Sequence, residues 1–256
     1  MTLALISDIH ANLPALEAVL ADIDRRRPDQ VYCLGDLVGY ATWPNEVVEK
    51  IRQRGIAAIA GNYDEGVGLG SDDCGCAYKT DEDRQRGNES IAYTNSVVTE
   101  ETRSYLASLP KHLRITFEPA RQPGAKPLEI MLVHGSPRKV NEYLFEDRQD
   151  SSFLRMMAAE DADVLCFGHT HKPFHKTIED AEARHGVRHA INTGSVGKPK
   201  DGDPRAGYVL LHIDPAGDSP LAVEFVRVEY DVERASGAVE DSELPSAFAQ
   251  MLRNGG

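Results

Sequence analysis

The 256-residue sequence has no apolar run near the roughly 18–20 residues that a membrane-spanning helix needs; its longest hydrophobic stretches are strand-sized. The opening Met-Thr-Leu-Ala-Leu-Ile-Ser-Asp has no basic region ahead of its apolar residues. It therefore reads as a first strand rather than a signal peptide, and a cytoplasmic protein without a membrane partner is expected. Basic residues are scarce, with 28 Lys and Arg against 41 Asp and Glu and a formal net charge of -13. An acidic surface repels the phosphate backbone, which argues against binding of long nucleic acid. It does not exclude a small phosphate ligand, because bound cations reverse the field locally. Cysteine is sparse too, and four residues imply no disulfide framework. Cys33 and Cys166 lie inside apolar runs and read as small buried hydrophobes. Cys74 and Cys76 flank a glycine in a polar stretch; a lone Cys-x-Cys is a weak signal for a metal or a redox pair. No repeat, low-complexity tract or linker interrupts the chain, so one domain over 1–256 is expected. A homo-oligomer is compatible with it.

What is present is an alternation of strand and helix patterns. Leu3 to Ile6, Val31 to Leu34 and Ile56 to Ala60 are strand-like. Between them, 14–26 and 45–54 show helical spacing, with Leu16, Val19, Leu20 and Ile23 on one face of the first. This rhythm predicts parallel pairing with helices covering the sheet. The glycine- and aspartate-rich 66–83 reads as a loop. Helices are expected over 86–98 and from Thr99 to Leu109, and the whole 66–110 segment could form a helical cap. Further strands are expected at 113–117, 128–133, 164–167, 174–178, 187–191, 208–213 and 222–228, with a turn at Pro119, Pro123, Gly124 and Pro127. Turn-rich segments separate the last three strands and suggest an antiparallel portion. Helices over 151–159 and 244–252 complete the pattern.

Five apolar runs end alike. Leu3-Ala-Leu-Ile leads to Ser7-Asp8-Ile9-His10, and Val31-Tyr-Cys-Leu to Gly35-Asp36. Ile56 to Ala60 leads to Gly61-Asn62-Tyr63-Asp64, Ile130 to Val133 to His134-Gly135, and Val164 to Phe167 to Gly168-His169-Thr170-His171. Strand carboxyl ends form the ligand-binding edge of an α/β sheet, so five such sets would converge there. Each alone is weak: a Gly-Asp after a strand is usually a turn, and a lone histidine is more often structural. Together, and in this order, they argue against coincidence. Carboxylate, amide oxygen and imidazole suit manganese, iron, zinc, cobalt or nickel, with manganese first, and the lack of thiolate argues against structural zinc.

These five motifs resemble the calcineurin-like metallophosphoesterase superfamily, whose pattern is D-x-H, G-D-x-x-G, G-N-H-D/E, H and G-H-x-H. The match spans residues 8–171 and looks like the smaller bacterial and archaeal phosphodiesterase-type branch. The resemblance implies an α/β fold, a β-sandwich of two mixed sheets flanked by helices. It implies that Asp8, His10, Asp36 and His171 hold one metal, and that Asp36, Asn62, His134 and His169 hold the other, with Asp36 bridging. Two cations about 3.5–4 Å apart share a water and lower its pKa toward neutrality, producing a hydroxide that attacks phosphorus. The expected substrate is a small phosphodiester or nucleotide-like phosphate ester. The alternatives are a phosphomonoesterase or Ser/Thr protein phosphatase and, further off, a non-catalytic metal-binding protein of the same fold.

One position departs from the pattern. Tyr63 stands where many members carry a histidine held to be the general acid. Either Tyr63 packs beside the site, or its phenol, a poorer donor at neutral pH, biases the enzyme toward leaving groups that need little protonation. Asp64 would then bond the Tyr63 hydroxyl. With these, the expected catalytic residues are Asp36, Asn62, His134, Tyr63 and Asp64. The segment Asn192-Thr-Gly-Ser-Val-Gly-Lys-Pro199 resembles the N-x-G-S stretch that follows G-H-x-H in the family. It reads as a turn shaping the site, with Ser195 or Arg205 touching substrate as the alternative; it is not a P-loop. His112, His175, His185, His189 and His212 read as surface or packing residues, with His175 close enough to His171 in sequence to support it.

Overall fold

A computed structural model describes residues 1–78, 80–118, 127–214 and 220–256. Two five-stranded sheets pack face to face. In the first, β10 (Leu221–Val228), β9 (Ala206–Ile213), β1 (Thr2–Ile6), β2 (Gln30–Cys33) and β3 (Ala57–Ala58) lie in that order. In the second the order is β4 (His112–Phe117), β5 (Leu128–Val133), β6 (Val164–Phe167), β8 (Val187–Asn192) and β7 (Phe174–Glu179). Both sheets are mixed. β1, β2 and β3 run parallel, as do β5, β6 and β8, while β9, β10, β4 and β7 are added antiparallel.

The period-two alternation of the strands builds three layers. Leu3 and Leu5 of β1 meet Leu132, Val164, Cys166 and Val209 between the sheets. Ala4 and Ile6 point the other way, onto Leu16, Val19 and Ile23 of α1 (Leu13–Arg26) and Val47 and Ile51 of α2 (Pro44–Gln53). Across the molecule, Leu165 and Phe167 of β6 pack on Phe153 and Met157 of α6 (Asp150–Ala159). Full burial of each such side chain contributes about 1.5–3 kcal/mol. Cys33 and Cys166 are buried in these layers as the sequence suggested.

Several boundaries differ from the sequence expectations. β8 does not pair with β9; it joins β6 and β7, so the expected antiparallel run of the last three strands is divided between the sheets. Part of the 66–83 loop belongs to a short helix, α3 (Asn62–Gly68), whose two glycines hide it from propensity. α4 (Asp81–Val97) begins five residues before Arg86, because the Thr80 side chain caps it at the Asp83 amide. α5 (Glu100–Ser108) follows, capped by Thr99. α7 (Val232–Glu240) was not anticipated; Ser236 and Gly237 mask its apolar face of Ala235 and Val239. α8 is shifted to Ala247–Asn254. The expected turn at Pro119, Pro123 and Gly124 lies outside the described residues. No helix among the described residues is long and apolar enough to cross a membrane.

Candidate metal centre

The strand ends do converge. Asp8 and His10 follow β1, Asp36 follows β2, Asn62 opens α3 after β3, His134 follows β5, and His169 and His171 follow β6. All seven side chains are buried. They fall into two cups of ligand atoms lying within 4.8 Å of one another: Asp8, His10 and His171 in one, Asp36, His134 and His169 in the other. Asp36 stands between them, its Oδ2 3.6 Å from His10 Nε2 and 3.3 Å from His134 Nε2. Asn62 Oδ1 lies 3.2 Å from His134 Nε2, on the second cup.

The backbone at these residues is strained. Asp8, His10, Asp36, His169 and His171 adopt left-handed φ values of 52°, 49°, 53°, 64° and 60°. For a non-glycine residue that conformation costs roughly 1–2 kcal/mol. Such strain persists only where the surroundings enforce it. Here Ser195 Oγ donates to the Asp8 carbonyl at 2.7 Å, and Val196 and Gly197 amides donate to the Ser7 and Asp8 carbonyls. Ser195 thus shapes the turn, as its structural reading held. Arg205 is bonded to Asp203 at the surface and is not turned to the site.

Histidine orientation is set by backbone carbonyls that the sequence could not reveal. His10 Nδ1 donates to Val38 O at 3.0 Å, His134 Nδ1 to Leu34 O at 2.8 Å, and His171 Nδ1 to Lys198 O. These bonds aim all three Nε2 atoms inward and assign the tautomer of His10 and His171, whose Nε2 lone pairs face the site. His10 Nε2 and His171 Nε2 then oppose each other at 3.1 Å, with Asp8 Oδ1 3.2 Å from the latter. Lone pairs crowded against a carboxylate repel unless a cation lies among them. Asp8 Oδ1 and His169 Nε2 are also buried with no hydrogen-bond partner. Meanwhile Asp8 Oδ2 is fully used, by Ser7 Oγ at 2.6 Å and the His169 amide at 3.0 Å. The donor set therefore fits divalent cations at the atoms left free.

Burial alone would raise the Asp8 and Asp36 carboxyls, but the histidines beside them hold both below the ordinary value. Burial drives His10 and His169 down to about 3, so both are neutral. His134 is opposite in sign: burial is outweighed by Asp36, and the imidazole is pushed up to about 10. Between pH 7 and 9 the cation-free site therefore keeps a proton on His134 that an incoming cation must displace. Titrating manganese into the apoprotein in buffers of different ionisation enthalpy should release about one proton at pH 7.5, with affinity rising as pH rises toward 10. Heat independent of the buffer would contradict this.

Tyr63 does not face the cups. It is buried, its hydroxyl donates to Ser90 Oγ of α4 at 3.3 Å, and its ring stands edge-on 5.6 Å from His10. Asp64 does not bond that hydroxyl. Its two oxygens accept the Leu37 and Gly61 amides, both at 2.9 Å, tying the Gly-Asp turn to the Gly-Asn turn. The expected Tyr63–Asp64 bond is corrected accordingly, because backbone amides already occupy the carboxylate; of the two readings of Tyr63, its contact with Ser90 favours packing beside the site. His175 is also not a support for His171; its Nε2 lies 2.9 Å from His189 Nδ1. Sequence reasoning missed Tyr40 and Tyr143, whose rings lie 4.8 Å from His10 and 4.0 Å from His169. It also missed the lysines of the Gly-Lys-Pro-Lys stretch ending at Lys200. Nothing in a tyrosine's sequence neighbours marks it as a wall of a distant site.

The profile of the calcineurin-like phosphoesterase superfamily domain matches residues 1–216. An uncharacterized protein of Methanocaldococcus jannaschii is 34% identical over 260 residues, which span 98% of this chain and 96% of that protein. The crystal structure of a metallophosphoesterase from Sphaerobacter thermophilus aligns with a TM-score of 0.73 at 30% identity, over 100% of this chain and 99% of that one. A hypothetical protein from Pyrococcus horikoshii aligns with a TM-score of 0.78 at 24% identity, over 100% and 98% of the two chains, a likeness of fold.

Proposed function

The chain belongs to the calcineurin-like phosphoesterase superfamily, and from that premise we propose that it takes two divalent cations and hydrolyses phosphodiester or nucleotide-like phosphate esters. The observation that supports this reading is the pair of buried cups with Asp36 standing between them, in which Asp8 Oδ1 and His169 Nε2 are buried without a hydrogen-bond partner. Asp8, His10, Asp36 and His171 would hold one cation, and Asp36, Asn62, His134 and His169 the other. Manganese is the first choice among manganese, iron, zinc, cobalt and nickel. Such cations, when bound, supply Lewis acidity that acidifies water and offsets the charge growing on phosphate. The protein's part is to fix the ligand atoms in place. Three carbonyls lock the imidazoles, and Asp64 clamps the two turns that carry Asp36 and Asn62.

The 66–110 segment is proposed to set substrate size, since Cys76, Ala77, Tyr78 and Arg86 wall a cavity beside the cups. A metal screen against mono-, di- and cyclic phosphoesters tests the function. Turnover of bis(p-nitrophenyl) phosphate with about two equivalents of bound metal is expected. Preference for alkyl monoesters would favour the phosphomonoesterase reading instead, and no turnover with any metal would reject both.

Tyr63→Phe separates packing from proton donation. With the hydroxyl spent on Ser90, the substitution should cost about 1 kcal/mol of stability and change kcat/KM by less than about threefold. A fall of about a hundredfold on bis(p-nitrophenyl) phosphate would return Tyr63 to an acid role.

A further inference from the structure

A cavity of about 350 Å³ opens beside the cups. It borders them through Tyr40 and Tyr143, through Thr170 between the two histidines, and through Cys76, whose Sγ accepts the Asn62 amide at 3.2 Å. Lys172, Lys198 and Lys200 all line it. Three of the four described lysines outside the cavity are paired with carboxylates, Lys50 with Glu17 at 3.5 Å, Lys111 with Glu65 at 2.8 Å and Lys176 with Asp150 at 2.7 Å, Lys139 being the exception. Among the described residues, none of the three cavity lysines has a carboxylate oxygen within 4 Å.

Lys198 is the sharpest case. It is 5% exposed, and its ammonium lies 4.6 Å from the Tyr40 ring centroid, 5.8 Å from that of Phe248 and 3.7 Å from Met251 Sδ. Aromatic faces attract a cation but do not replace a counter-ion. A buried charge without one is costly. The cavity also holds one carboxylate and one guanidinium: Asp83 lies 3.7 Å from Arg86, which Glu82 also engages, and no Asp83 oxygen comes within 4 Å of a cavity lysine. Tyr143 and Phe145 also line the cavity, their rings 5.9 Å apart and 9° from parallel. A planar base has a flat surface to lie on there.

We propose that this cavity is an anion subsite in which Lys198, with Lys172 and Lys200, receives a second phosphate of the substrate, so that the substrate is a nucleotide-type ester carrying one phosphate at the cups and another here. The proposal rests on the phosphoesterase reading of the cups and narrows its substrate class. In the manganese-loaded protein, thymidine 3′,5′-bisphosphate should bind about tenfold more tightly than thymidine 5′-monophosphate by calorimetry, the contribution of one charge-assisted contact. The matched p-nitrophenyl esters of these two nucleotides should differ in KM by a similar factor, with kcat little changed. Lys198→Met, which keeps an unbranched side chain one atom shorter and removes the charge, should reduce the advantage to about twofold or less, and Lys198→Arg should retain it. Lys200→Met provides a second test should Lys198→Met fail to fold. Equal binding of the two nucleotides by the unaltered protein overturns the subsite, as does an advantage that survives the lysine substitutions. Inorganic phosphate binding tightly beside thymidine 5′-monophosphate, with no advantage for the bisphosphate, would mark a site for the free anion and overturn the substrate assignment. Turnover of bis(p-nitrophenyl) phosphate tests the parent reading separately: turnover without a bisphosphate advantage rejects the subsite alone.

Discussion

Asp36→Asn is expected to lower kcat/KM on bis(p-nitrophenyl) phosphate at least about a thousandfold, or about 4 kcal/mol of transition-state stabilisation. The reason is the division of labour between the two carboxylate oxygens. Oδ1 accepts the Tyr63 amide at 2.9 Å, which leaves Oδ2 to face His10 and His134. An asparagine in the same pose keeps its oxygen on the Tyr63 amide and turns its NH2 inward, replacing the anionic oxygen that stands between the two cups with a donor that repels cations. The fold should survive, because the Tyr63 contact does. Metal content by mass spectrometry should fall from about two per chain, with the largest loss at the cup holding His134 and His169. Full activity and full metal content in this variant would remove the basis for assigning chemistry to the cups. The same substitution should lower the His134 pKa toward its ordinary range, because the carboxylate that raises it is gone.

Gly61→Ala should be nearly as damaging by a different route. A Cβ there would stand 2.1 Å from Asp36 Oδ1, which the Tyr63 amide holds, and 2.2 Å from the Asp36 amide nitrogen, which is backbone. The backbone would have to move, against Asp64, which holds the Gly61 and Leu37 amides together. Overpacking of this kind costs about 1–3 kcal/mol and occasionally more. For a chain of this size that lowers the melting temperature by roughly 2–4 °C per kcal/mol. Activity should fall further than stability, because the shift displaces Asp36 and Asn62 together. A variant with an unchanged melting temperature and unchanged kcat/KM would show that the two turns are not locked as the structure has them.

How legible the site was depended on the kind of group. Asp8, His10, Asp36, Asn62, His134, His169 and His171 could be named from their neighbours, since each follows an apolar run and a strand must end where its hydrophobic pattern does. Tyr63 could be located but not interpreted. Its partner, Ser90, is on a helix 27 residues away, and only packing decides whether a phenol points at a cation or at a serine. Asp64 was misjudged for a related reason: the family resemblance pairs this acid with the residue at position 63, whereas two turns brought together offered stronger claims through their amides. The carbonyls of Leu34, Val38 and Lys198, which orient the imidazoles, carry no side-chain signature at all.

Sequence by itself determined which residues are apolar strands and what chemistry stands at their ends, because hydrophobic periodicity and ligand type are properties of local residues. Tertiary structure alone decided that β8 joins the second sheet rather than β9, that Tyr63 turns toward α4, and that three lysines share a cavity with no carboxylate of the described residues within 4 Å of them. Those outcomes depend on which surfaces meet in space, and a contact between residues far apart in the chain leaves no mark on the neighbours of either.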